Sequence, residues 1–273
     1  MPPLPERSGS VGALVTGVRP LRGMRSFRAQ RLMSILRTLL PFILVLVSAN
    51  AGASTPEVRV TYSERLDSEC STVHGGEIKD EWKAEFAQKR IDFEKRWTAV
   101  GPRFLAAAER ITSRQFASTP ITARLTLCNV PSESSGPSIL VNMRYALASF
   151  TASPVSVRYK TNILFHEVLH GLVQDSVPKN SPLLAEHQGE SERVKNHLHL
   201  LALMKAVFLE QGLQSDLAEV IEIDGELPGG YYRRAWEIVN QTDDTYLKYI
   251  SELRGQAARH RRKPAAEGGL AAD

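Results

Sequence analysis

Cysteine is scarce in this chain: its 273 residues contain two, Cys70 and Cys128, with no C-x-x-C spacing, so dithiol redox chemistry has no support. Long apolar runs are missing as well. The strongest, Leu39-Leu-Pro-Phe-Ile-Leu-Val-Leu-Val47, falls well short of the roughly 20 residues that span a bilayer. Glycine (18), proline (15) and aromatic content (7%) are unexceptional, which excludes collagen-like, low-complexity and wholly disordered chains. A basic surplus is absent from most of the sequence. The formal charge of +4 comes from residues 1–53, which hold seven arginines and one acid; the rest carries 27 basic against 29 acidic residues. Nucleic-acid binding thereby loses its main support.

What is present begins with an export signal. Arg31 and Arg37 precede the apolar run, and Ser48-Ala-Asn-Ala-Gly-Ala-Ser54 follows it. A positive n-region, a short h-region and A-x-A are the parts of a secretory signal peptide, with cleavage after Ala51 or Ala53. The n-region is long, and Met24 or Met33 would each open a signal of ordinary length. The mature chain is expected to be secreted or periplasmic, without stable membrane insertion. No cysteine near the cleavage site offers a lipid anchor. In an exported chain Cys70 and Cys128 are expected to form a disulfide closing a loop of about 58 residues, the alternative being two buried thiols.

Between residues 54 and 254 the pattern reads as one α+β domain. Strands are expected at 57–62, 121–128 and 138–145, with a turn-rich loop at 131–137. Residues 78–116 read as helical, divided by Gly101-Pro102. Ser153-Pro154 offers a cap for a helix running to about Asp175. Further helices are expected at about 190–211, 214–221 and 230–254, giving a mainly helical C-terminal half. The tail from Gly255, with its basic run Arg259-His-Arg-Arg-Lys263, shows no apolar period and reads as disordered rather than as an anion-binding arm.

The chemistry is concentrated in Asn162-Ile-Leu-Phe-His-Glu-Val-Leu-His-Gly171, which contains H-E-x-x-H. On a helix His166 and His170 lie one turn apart, so both rings reach the same side and can share a zinc ion at about 2.1 Å. Glu167 starts from the same turn and can take a proton from water activated there. The five-residue pattern arises by accident in about one chain per hundred of this length. Its apolar setting, Ile163-Leu-Phe165 and Val168-Leu169, places it in a buried helix, where unpartnered histidines would be costly.

His166-Glu167-x-x-His170 in an exported chain resembles the zincin metallopeptidases. The resemblance covers the motif and the strand before it. It implies a small antiparallel or mixed sheet packed on the motif helix, with an edge strand (Ser138–Tyr145) for an extended peptide or protein substrate. The third ligand stays open. The metzincin continuation is absent, since Gly171 is followed by Leu-Val-Gln-Asp. Glu190, twenty residues beyond His170, matches the gluzincin spacing, although position 194 is Val where that group has Asp. His197 is the rival, on the apolar face of the next helix with Leu201 and Phe208. Glu186, His187 and Glu192 are further options, and His199 projects with Lys195, Asn196 and Glu210 toward solvent. For a developing oxyanion the chain offers Tyr231, Tyr232 and Arg233 after Pro228-Gly-Gly230, or Tyr145. The expected activity is zinc-dependent peptide hydrolysis with Glu167 as general base. The alternative is a catalytically silent metal-binding or interaction module, which would have no need of that carboxylate.

Overall fold

A computed structural model describes residues 55–262, apart from residues 75 and 118. The expected signal segment at 1–53 and the tail from 263 to 273 lie outside the described residues. The chain is α+β, with a small mixed sheet followed by helices. Strand β1 (Val58–Tyr62) leads into α1 (Glu64–His74) and the long α2 (Asp80–Thr112). Strands β2 (Ile121–Thr126), β3 (Glu133–Ser135) and β4 (Ser138–Asn142) come next. Then follow α3 (Val157–Val173), the single turn α4 (Pro182–Ala185), α5 (Glu192–Glu210), α6 (Gln214–Glu226), α7 (Tyr231–Val239) and α8 (Thr245–Arg262). No described helix is long and apolar enough to cross a membrane.

The sheet order is β1-β2-β4-β3: β1 and β4 flank β2 in parallel, and β3 returns antiparallel to β4. Strand β4 is therefore an interior strand. The expected edge position of Ser138–Tyr145 is taken by β3, three polar residues from the segment expected to be a loop. The β3–β4 hairpin turns at Gly136-Pro137, with Gly136 at φ 59°, a left-handed conformation that glycine adopts without a Cβ clash. The backbone leaves strand geometry after Asn142 and makes a short 3-10 turn at Arg144–Ala146.

Helix α2 runs unbroken through Gly101-Pro102, where a division was expected. Proline inside a helix costs on the order of 3 kcal/mol. Here Trp97, Val100, Phe104 and Leu105 are buried on both sides of it, so leaving helical register would expose a core face. Gly101 has a separate role: a Cβ there would lie 2.6 Å from the Trp97 ring, which covers the glycine. The Cys70–Cys128 disulfide ties α1 to the residues after β2.

The core forms where α2, α3 and α5 meet. Phe104, Phe165 and Phe208 supply one side chain from each, with ring centroids 4.9, 5.5 and 6.0 Å apart. Buried Asp216 of α6 reinforces this junction by accepting from Asn162 Nδ2 at 3.2 Å and pairing with Arg96. Helix α3 starts three residues later than Ser153-Pro154 suggested, because Ser156 caps it, accepting from the Tyr159 amide at 2.9 Å. The expected 230–254 helix is two, α7 and α8. Helix α8 continues through 255–262, which corrects the expectation of disorder from Gly255.

Candidate metal centre

Helix α3 delivers His166, Glu167 and His170; α5, packed alongside it, delivers His197. The His166 and His170 rings stand 5.0 Å apart, and each lies 5.4 Å from His197. One ring nitrogen from each of the three comes within 4.8 Å of the others, and no other described group of His, Cys, Asp or Glu converges in this way. Three imidazoles gathered this closely match the donor set of a tetrahedral zinc site that keeps one position open.

The local polar accounting supports a metal in this place. His166 is 2% exposed, and its Nε2 is sealed from solvent without a hydrogen-bond partner among the described residues. A buried ring nitrogen left in that state costs about 1–3 kcal/mol, and a coordinated cation removes the cost. The His197 Nδ1 lies 2.6 Å from the Arg193 carbonyl. Donation to that oxygen fixes the tautomer and frees Nε2 as a ligand. Burial lowers the pKa of all three rings, His166 well below the ordinary value and His170 to about 4. They are therefore neutral and able to ligate at physiological pH.

Glu167 is buried beside the histidines, and no described residue donates a hydrogen bond to it. In the metal-free chain burial pushes its carboxyl up to about 7, with a smaller contribution from the Glu133 carboxylate on β3. Opposite it, the first turn of α7 brings Tyr232 to 4.8 Å from the His197 ring and 5.7 Å from His166. Tyr231 packs against Tyr232 in a tilted arrangement with ring centroids 4.4 Å apart, and lies 5.7 Å from His197. Burial, with Tyr231 and Glu167 nearby, raises the Tyr232 pKa, so this phenol stays protonated. Of the tyrosine pair, Tyr232 is the one in contact with two of the three imidazoles. The Gly229-Gly230 turn expected to carry the pair over the site has φ of 88° and 65°, and it starts α7 there.

The other candidates lie elsewhere. Glu190 precedes the α5 cap Ser191, so it is not helical, and its Oε1 is bound by Arg234 of α7 at 2.7 Å. It does not join the histidines. Glu192 pairs with Lys195 at 2.6 Å, and His187 Nε2 meets the Tyr249 hydroxyl at 3.2 Å. Glu186 is exposed. Arg233 donates to the Gly225 carbonyl, and Tyr145 is half-exposed on the turn after β4. His199 is not on a solvated face: α8 covers it, and its Nε2 lies 2.5 Å from Glu252. No protein-family model matches the chain, and no curated protein or solved structure matches it either.

Proposed function

We propose that this protein is an exported zinc-dependent peptidase, with His166, His170 and His197 as the metal ligands and Glu167 as the general base. The observation that carries the reading is the meeting of three neutral imidazoles, one with an unpartnered buried nitrogen, beside a buried carboxylate that nothing else occupies. A metal-binding module would need the rings alone.

Zinc bound to the three rings would polarise a peptide carbonyl and make water acidic enough to attack near neutral pH. Glu167, one residue from His166, takes the proton from the attacking water and returns it to the departing amine. Its burial keeps the carboxyl free of competing donors. Tyr232, held protonated across the site, donates to the carbonyl oxygen as negative charge gathers there. Tyr231 supports that ring by packing against it. The Arg193 carbonyl holds His197 so that the ligand nitrogen does not rotate away. Export agrees with the disulfide and with the absence of a membrane-spanning described helix.

The test pairs metal content with turnover. Purified protein is expected to hold one zinc per chain and to cleave members of a mixed peptide library. Glu167→Gln is expected to keep its zinc while losing about 10²–10⁴-fold in turnover. Stoichiometric zinc with no cleavage by the wild type would identify a silent module instead.

A further inference from the structure

One charged group near the site is used by nothing described so far. Lys160 of α3 is 6% exposed, yet no described carboxylate pairs with it and no hydrogen bond to its ammonium exists among the described residues. Two aromatic rings lie close to it, Tyr145 at 5.7 Å and Tyr159 at 5.9 Å from Nζ. A lysine nine-tenths buried without a counter-ion is uncommon, because partial desolvation of the ammonium is costly and an anion would offset that cost. Burial lowers its pKa to about 8, which still leaves it charged at neutral pH. Nζ itself keeps some contact with solvent, unlike His166 Nε2.

The position of this cation matters. Lys160 and Glu167 are seven residues apart, two helical turns, and so share one flank of α3. That flank faces the sheet: Glu167 feels Glu133 of β3, and Lys160 lies against Tyr145 just past β4. Lys160 also belongs to the first turns of a 17-residue helix, where the backbone dipole adds positive potential. Arg158, its neighbour in that turn, is neutralised by Glu219, so the uncompensated charge is that of Lys160. Two turns correspond to about 10 Å along the axis, which an extended peptide spans in about three residues.

We propose that Lys160 is a substrate-positioning residue that receives a carboxylate of the peptide about three residues from the scissile bond. The carboxylate is that of a free C-terminus or of an Asp or Glu side chain. The proposal rests on the peptidase reading, which makes α3 the floor of a substrate track. Its test separates the two.

Zinc-loaded Glu167→Gln protein, which binds without turnover, is titrated with an eight-residue mixed peptide library in three forms: free acids, C-terminal amides, and amides carrying one Glu. Free acids are expected to bind at least tenfold tighter than plain amides. If the Glu-bearing amides show that gain in place of the acids, the side chain is the source. Lys160→Gln in the same background is expected to erase the preference, and Lys160→Arg to retain it. A merely structural lysine would change affinity for all three forms alike. Equal binding of all three forms by the Lys160 protein would overturn the proposal, as would a preference that survives Lys160→Gln. Failure of the wild type to cleave any peptide would instead count against the peptidase reading, and the binding comparison would still decide the role of Lys160.

Discussion

Polar side chains buried along α3 and its neighbours reach satisfaction by different routes, and the route marks the role. Asn162 is tied to Asp216, which also holds Arg96, so that group is structural. Asp224 is structural as well: it accepts from the Tyr159 hydroxyl and from Trp236 Nε1, both at 2.9 Å. Burial nonetheless pushes its carboxyl up to about 6 from an ordinary 3.8. Since the folded state then binds the proton more tightly than the unfolded chain, this group favours folding below about pH 4, and the benefit fades as pH rises through 6. The contribution is of order 3 kcal/mol at one pKa unit per 1.4 kcal/mol. Urea unfolding of wild type and Asp224→Asn at pH 4, 5, 6 and 7 is expected to show the wild type losing stability relative to the variant across that window. Parallel curves would contradict the assignment. His166 Nε2 has no such partner among the described residues, which fits the proposed ligand role.

The same scale shows what residue patterns reveal. His166, Glu167 and His170 follow from spacing alone, because one helical turn dictates where the rings go. His197 was recognisable from its apolar face, but nothing local distinguished it from Glu190. The decision belongs to Arg234 on α7, 44 residues beyond Glu190, which claims that carboxylate. His199 misled for a similar reason: its sequence neighbours are polar, while the helix that buries it, α8, lies about 50 residues onward.

At the scale of elements, the apolar helices were legible and two exceptions are instructive. Strand β3 is Glu-Ser-Ser, without apolar alternation, so its pairing with β4 has no signature in composition. Helix α2 overrides a Gly-Pro pair because its buried face continues across it. That override makes Gly101 a sensitive position. Gly101→Ala gains up to about 1 kcal/mol in helix propensity. Against this, the new Cβ would press on the Trp97 ring at 2.6 Å, and Trp97 is buried in the core. Overpacking of this kind costs about 1–3 kcal/mol, so the net expectation is destabilisation of up to about 2 kcal/mol in chemical denaturation, despite the better helix former. A more stable variant would show that Trp97 can move aside.

For the molecule as a whole, the disulfide and the proposed metal centre tie different elements together. The Cys70–Cys128 bond joins α1 to the end of β2, whereas the three imidazoles join α3 to α5. The two cross-links share no element. The double variant Cys70→Ala/Cys128→Ala is expected to lose about 2–5 kcal/mol of stability while still binding one zinc per folded chain. Loss of zinc from a folded, reduced protein would mean that the sheet end supports the site more directly than these contacts indicate. Such division also accounts for what could be read early. The α+β class, the helical second half and the disulfide follow from local pattern and cysteine count, whereas strand order and the third ligand depend on pairings between distant segments.

The most direct test of the metal centre is zinc K-edge X-ray absorption on protein reconstituted with one equivalent of zinc. Three imidazole nitrogens at about 2.0–2.1 Å and one light exchangeable donor are expected for the wild type. Glu190→Ala is expected to give the same spectrum, and His197→Ala to lose one imidazole or the metal. A spectrum with two imidazoles and a protein carboxylate that changes in Glu190→Ala and not in His197→Ala would contradict the three-histidine centre, as would failure to retain zinc at all.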